Sequence, residues 1–438
     1  MSVGLLTLVL FSILVILLLT GLPVAFSLGF AGLVLMLWQL GPSSLYLIFA
    51  TAFSDWNNYI LLAIPLFVIM ANFLKESGIA DDLYEMMYRW MGPLRGGLAM
   101  GTVVICAIFA AMSGVSAAGT VTMGKIALPS MLNRGYDKRI VLGAIAAAGS
   151  LGILIPPSVT MVIFASLTGE SVGKLFIGGV FPGIMLAGIF VVYIGIRTAL
   201  QPHLGPAVPR EERFTMRQKL VLLKAVVAPI ILILLVLGII YLGVAIPTEA
   251  AGIGAFGAII VSLVNRRFSW AVLREASKDA LFVTVMCGWI VLGAKSFAHV
   301  YTQVGVPAFL SDVIAGLGVN RWVIMVMMQL ILLVLGCFID PMGIMMITLP
   351  VFVPIVNDLG FSLLWFGILF TVNMEVGYIT PPFGFNLFYL KGVTPPGITL
   401  RDIYTSITPF VMLEIIGLVL LMAFPQIALW LPQNMMGK

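Results

Sequence analysis

A skeleton of glycines and prolines that occurs twice restricts the fold of this chain more than any other feature. Pro129, Gly135, Gly152, Pro156 and Pro157 recur 225 positions later (381 − 156 = 225) as Pro354, Gly360, Gly377, Pro381 and Pro382. The residues between them have diverged, while those that bend or break helices keep their spacing. A repeated pair of broken helices in an apolar chain is the pattern of a membrane carrier with its site between two related halves.

Lipid is the solvent such a chain requires. Hydrophobic residues make up 61% and charged residues 9%, with a mean hydropathy of +1.15, whereas soluble domains carry roughly 25% charged residues. Apolar runs long enough to enter a bilayer fall near 3–20, 22–40, 58–74, 96–113, 116–132, 140–168, 174–199, 225–243, 246–264, 281–299, 322–338, 342–356, 362–390 and 405–430. The first has no basic flank and no small-residue cleavage site, so it reads as a retained helix. Cys106, Cys287 and Cys337 lie in apolar segments, which excludes a disulfide framework.

The charges orient this topology. If the intervals 75–95, 201–224, 265–279 and 391–402 are cytoplasmic and 301–321 and 357–361 are outside, the basic residues sort well. Lys174, Arg321 and Lys438 fall outside and Lys125 and Lys295 within segments; the remaining Lys and Arg, including Arg210 and Arg213 in the polar interval, lie inside. The positive-inside rule supports this arrangement, with both termini outside. The net charge of +5 then needs no nucleic-acid partner. The same topology runs the helix with Pro156-Pro157 outward and the one with Pro381-Pro382 inward, so the repeat is inverted. The hairpin before each break returns to its own side. The first tip, Ser113 to Gly119, has no charge and no loop length, which favours a re-entrant hairpin buried in protein.

Each break exposes backbone. Proline donates no N–H, so Pro156 is expected to free the carbonyl of Gly152, and Pro381 that of Gly377. At membrane depth a free carbonyl needs a partner, and a small hard cation such as Na⁺ suits it. The following half-helix presents N–H groups to a carboxylate. Ser158 and Thr380 add hydroxyls beside the prolines. Ser113 and Ser116 read as helix caps or as cation ligands. Asp340, before Pro341, reads equally as an N-cap and as the partner of a cation. Asn373 is a candidate substrate or sodium contact. Glu375 points to the second cavity, a bundle partner or an interface; Glu249 reads as a first-turn acid after Pro247 and Thr248, and Glu414 as structural. No metal-ligand cluster surrounds His203 or His299, and no HExxH, GxSxG or Walker motif is present. An enzyme using Asp340 and Glu375 as an acid pair lacks a nucleophile and a metal cluster. No ATP and no organic cofactor is implied.

The residues also carry a family resemblance. LLAIPLFVIMANFLKESGIADDLY at 61–84, GPLRGGLAMG at 92–101, AAMSGVSAAGT at 110–120, LGILIPPSVTMVIFASLTGESVGKLFIGGVFPG at 151–183, IPTEAAG at 246–252 and GYITPPFGFNLFYLKGV at 377–393 cover most of the chain in order. The chain resembles the large membrane subunit, DctM type, of tripartite ATP-independent periplasmic (TRAP) transporters. The resemblance implies sodium-driven import of a small carboxylate, in a bacterial or archaeal inner membrane, by an elevator motion against a static scaffold. It implies one sodium site at Ser113, Gly114, Ser116, Gly152 and Pro156 and another at Gly336, Asp340, Gly377, Thr380 and Pro382. Substrate would lie between them near Ser158, Asn373 and Asn386. Val115 interrupts the SGSS common at the family's first tip, which removes one side-chain ligand, and Glu375 departs from the general pattern. Two partners are implied, a small four-helix membrane subunit and a soluble periplasmic binding protein, neither encoded in this chain.

The expected fold is therefore an all-α polytopic membrane protein with an inverted repeat of two re-entrant hairpins and two broken helices, of the ion-transporter superfamily. Scaffold helices and a cytoplasmic arm occupy 1–95. The first transport repeat spans 96–200, with hairpin 96–132 and broken helix 140–168. A cytoplasmic loop at 201–224 precedes scaffold helices and an outer arm at 225–321. The second repeat spans 322–430, with hairpin 322–356 and broken helix 362–390. The alternative function is a stand-alone proton- or sodium-coupled organic-anion carrier without partner subunits.

Overall fold

In a computed structural model the structure describes residues 3–46, 50, 53–54, 57, 59–209, 214–309 and 318–435. Arg210, Arg213, Lys438 and part of the interval 301–321 lie outside them. Helices α1 (Val3–Leu19), α2 (Val24–Leu40), α3 (Ala63–Glu76) and α4 (Ile79–Met91) come first. The interval 75–95 is thus not a loop: Gly78 turns the chain left-handed, Asp81 and Asp82 sit in the first turn of α4 and Arg89 in its last, as the helix dipole favours. Its apolar face, with Leu83 and Met86 buried, covers the foot of the first hairpin.

That hairpin is α5 (Gly97–Ser113) and α6 (Ser116–Asn133), followed by the broken pair α7 (Lys138–Ser150) and α8 (Val159–Thr168), then α9 (Val172–Leu200). Helices α10 (Met216–Leu222), α11 (Lys224–Tyr241), α12 (Pro247–Val264) and α13 (Trp270–Gln303) return to the scaffold. Part of the polar interval 201–224 is thus helical. Glu249 closes the first turn of α12 by accepting from Ile246 N–H at 3.0 Å. The expected inner loop 265–279 is also mostly helix. Ser269 caps α13 at Trp270, and 34 residues span about 51 Å, so its polar start reaches beyond a bilayer core of about 30 Å.

The second hairpin is α14 (Arg321–Gly336) and α15 (Pro341–Asp358), the second broken pair α16 (Leu363–Ile379) and α17 (Phe385–Lys391), and α18 (Leu400–Ala423) and α19 (Gln426–Gln433) end the described chain. Among the described residues six helices, α9, α12, α13, α15, α18 and α3 with the turn before it, are long and apolar enough to cross a membrane. Scaffold helices turn residues such as Leu234, Phe256 and Phe282 outward, as lipid contact requires. By contrast, Ile140 to Ser150 of α7 and Leu364 to Gly377 of α16 are buried on every side. The two broken helices are the centre of the molecule.

Helix α18 is a ruler that shows the inversion. At its start Asp402 accepts from Lys138, the first residue of α7, at 2.6 Å. Near its end the Leu421 carbonyl accepts from the indole N–H of Trp365, at the start of α16, at 3.0 Å. Nineteen residues, about 28 Å of helix, separate these contacts. The two broken helices therefore enter from opposite ends. Trp322, at the foot of the second hairpin, packs on Trp365 with ring centroids 5.9 Å apart, placing that hairpin at the far end from the first. Both hairpins are re-entrant, because their tips stop at the breaks instead of passing them. A 16-residue arm such as α14 reaches only about 24 Å.

Candidate functional site

At the first break the Ile155 N–H closes on the Leu151 carbonyl at 2.9 Å and Pro156 has none to give, which leaves the Gly152 carbonyl without its helical donor. Gly152 lies against the first tip so closely that an added Cβ would sit 2.9 Å from the Ser116 N and Cα. Gly114 takes the left-handed φ of +63°, and its carbonyl accepts from Val159 N–H at 3.4 Å, across the break. Ser158 closes the gap from inside, donating to the Ile153 carbonyl and accepting from Met161 N–H at 3.3 Å. Neither Ser113 nor Ser116 caps a helix. Val115 is the N-cap of α6 and makes no side-chain cap bond; the Ser113 hydroxyl turns to the Val115 carbonyl at 3.4 Å. The cap reading of these serines fails because the tip is only two residues long, placing Ser113 inside α5 and Ser116 inside α6.

The second break repeats the plan with other chemistry. Gly336 and Gly377 meet backbone to backbone, a Cβ on Gly377 falling 2.7 Å from the Gly336 Cα. Phe383 N–H donates to the Cys337 carbonyl at 3.3 Å, again joining tip to break. The Gly377 carbonyl, expected free, accepts from Thr380 N–H at 3.2 Å: the chain tightens by one residue where Pro381 denies the regular bond. The Thr380 hydroxyl donates to the Val376 carbonyl at 2.6 Å, and the Pro382 carbonyl accepts from Tyr404 at 2.8 Å. Asp340 is the N-cap of α15, its carboxylate accepting from Met342 and Gly343 N–H at 3.1 and 3.2 Å. Both Pro-Pro bonds, Pro156-Pro157 and Pro381-Pro382, are cis.

Asn386 joins the halves beside the first break. Asn386, in α17, is fully buried; its amide donates to the Ala146 carbonyl of α7 at 3.0 Å and its oxygen accepts from the Ser116 hydroxyl. The structure thus brings Ser116, Gly152 and Asn386 together. Asn373 turns elsewhere, donating to the carbonyl and side-chain oxygen of Gln329 in α14 at 2.8 and 2.9 Å.

A second polar cluster went unrecognised in the sequence. Glu375 of α16 and Glu414 of α18 are both fully buried, on two helices that pack against each other. Ser150, at the end of α7, lies 2.9 Å from Oε1 of Glu414. A repeat-aware search had one signal for it: Ser150 and Glu375 are equivalent positions (375 − 150 = 225). Toward the scaffold, a cavity of about 320 Å³ lies between the first tip (Ser113, Val115, Ala118) and Asn72, Lys75 and Asp279 of α3 and α13.

A family model described as the DctM component of the tripartite ATP-independent periplasmic transporter matches residues 11–427. The chain belongs to this family. Among its relatives is the C4-dicarboxylate TRAP transporter large permease protein DctM of Pseudomonas aeruginosa, 36% identical, with 94% of each chain covered. The isethionate TRAP transporter permease protein DctMQ of Oleidesulfovibrio alaskensis is 32% identical over 88% of this chain and 60% of that protein. The crystal structure of the Alcanivorax borkumensis YdaH transporter has a TM-score of 0.63 over 91% of both chains at 15% identity, which shows a shared fold. The chain is a TRAP transporter large permease, a multi-pass helical membrane protein and not an enzyme.

Proposed function

We propose that this TRAP permease imports a small organic anion, coupled to sodium, by moving its two hairpin and broken-helix units as a body against the scaffold. The observation that carries the reading is the paired construction of tip on break: each glycine at a break meets the opposing tip at backbone distance. In each half a backbone N–H beyond the Pro-Pro pair donates to a tip carbonyl. The Gly152 carbonyl, left without its helical donor at the first break, suits sodium at membrane depth, and Ser113, Gly114, Ser116, Gly152 and Pro156 on one side, with Gly336, Asp340, Gly377, Thr380 and Pro382 on the other, are the assigned ligand regions. Asn386 couples them through Ser116. Substrate is assigned to the space these regions flank, near Ser158, Asn373 and Asn386. The cavity beside the first tip brings Lys75 to the side where an anion would pass.

The names of the relatives, one for a C4-dicarboxylate and one for isethionate, support a small organic anion as cargo. The family's tripartite description supports a small membrane subunit and a periplasmic binding protein as partners. The basic residues favour an inner-membrane orientation with both termini outside. Uptake by this chain reconstituted with both partners should collapse when potassium replaces sodium. Uptake indifferent to sodium would overturn the coupling, and full uptake by the chain without partners would overturn the assembly.

A further inference from the structure

Where the turn between α12 and α13 meets the end of α3, the charges do not balance. The turn is strapped across that end by three contacts. Asn265 Nδ2 donates to the Ser77 carbonyl at 3.4 Å, and the Phe268 ring stacks on Phe73 with centroids 6.0 Å apart and planes within 4°. The Arg267 Nε lies 3.6 Å from where a Cβ on Gly78 would stand. Arg266 and Arg267 of the turn and Arg274 in the second turn of α13 are all exposed. None of the three has an ion pair or a side-chain hydrogen bond among the described residues. The nearest acids already have cations, Glu76 from Lys75 at 3.6 Å and Glu275 from Lys278 at 3.0 Å, and Asp279 lies further along α13 at the cavity beside the first tip. The corner keeps three guanidinium charges.

Backbone and surroundings say what those charges face. Arg266 has a φ of +54° and is the one non-glycine with positive φ among the described residues. A Cβ is strained in that conformation and glycine is not, so the turn carries an arginine where its own geometry favours none. The arginines are set in apolar surface: Leu263 and Val264 at the end of α12 are 53% and 75% exposed and Trp270 at the start of α13 is 76% exposed. Helix α12 is long and apolar enough to cross a membrane, so its end and this tryptophan lie at the level where an aromatic belt anchors a chain. Arginine stems rest on apolar surface there and present guanidinium groups to the headgroups. A ligand for this corner needs an anion that takes paired N–H donors and a chain that covers the rim. Phosphate supplies the first, an acyl chain the second. We infer that the α12–α13 corner binds an anionic phospholipid, its phosphate held by Arg266, Arg267 and Arg274 and its acyl chain against Leu263, Val264 and Trp270. Basic residues beside a membrane helix attract such lipids electrostatically, and here the turn strapped to α3 fixes their place. The site lies on the scaffold, apart from both tips, and does not depend on sodium.

Native mass spectrometry of the full chain released from detergent, with phosphatidylglycerol or phosphatidylcholine added, tests this. The wild type should retain phosphatidylglycerol in preference, and the Arg266→Gln, Arg267→Gln, Arg274→Gln triple variant should lose that preference. A control that removes three exposed charges elsewhere, Lys174→Gln, Arg197→Gln, Arg401→Gln, should keep it; equal loss in both would reduce the site to general charge attraction and overturn it. Arg266→Gly separates binding from folding. It relieves the strained φ, so in detergent without added lipid it should unfold no earlier than the wild type, yet it should retain less phosphatidylglycerol. Full retention by this variant overturns the site even if the triple variant does not fold. Phosphatidylglycerol should also raise the unfolding temperature of the wild type; an equal rise with inorganic phosphate alone would make the ligand a free anion and not a lipid. Loss of retention once the small membrane subunit is bound would assign the corner to that protein instead.

Discussion

Exchanging glycine for alanine tests the tip-on-break construction, because the sign of the effect depends on position. In a helix interior the exchange ordinarily stabilises by about 1 kcal/mol. At Gly377 the new methyl would stand 2.7 Å from the Cα, 2.9 Å from the carbonyl oxygen and 3.0 Å from the carbonyl carbon of Gly336. Carbon atoms rest about 3.5–4.0 Å apart, so the overlap approaches an ångström. All three neighbours are backbone, and no side chain can rotate away. Overpacking of that kind costs about 1–3 kcal/mol; with the helix gain of about 1 kcal/mol subtracted, Gly377→Ala should destabilise by up to about 2 kcal/mol and prise the second tip from its break. Gly152→Ala, 2.9 Å from the Ser116 and Val115 backbone, should act alike. Gly188 of α9 and Gly238 of α11 have nothing within 4 Å of the added atom, so alanine there should be neutral or stabilising. Thermal unfolding of the purified chain in detergent measures all four, with uptake as a second readout. Gly377→Ala as stable as Gly188→Ala would refute the close approach.

Asn386→Leu should cost about 1–3 kcal/mol, because it removes the buried acceptor for Ser116 and a side-chain donor to the Ala146 carbonyl; thermal unfolding reads the loss, and an unchanged midpoint would contradict the bridge. Asp340→Asn keeps a cap while Asp340→Ala loses about 1 kcal/mol with it, so a fall in sodium dependence in the asparagine variant at unchanged stability separates the charge from the cap. Trp365→Phe deprives the Leu421 carbonyl of its donor and should destabilise by about 1 kcal/mol, seen as an earlier unfolding transition.

The helix-breaking skeleton was legible because proline and glycine act locally, through a missing N–H and a missing Cβ, whatever surrounds them. Apolar run length and charge sorting likewise work over a few residues at a time, and they placed the helices and hairpins. They failed where polarity was mistaken for lack of structure: α4 and the start of α13 are helices because an amphipathic or charged stretch with a good cap needs no lipid-facing surface.

Side-chain partnership was a different matter. Asn386 meets Ser116 across 270 residues, and Glu414 meets Ser150 across 264. No local pattern distinguishes a buried acid with a partner from one without, since its neighbours come from other helices. The sequence by itself determined that two inverted halves break their helices at matched glycines and prolines, because those residues act on their own backbone. Only the tertiary structure decided that Asn386 meets Ser116 and Glu414 meets Ser150, because proximity in a packed bundle is set by the register of α6, α7, α17 and α18.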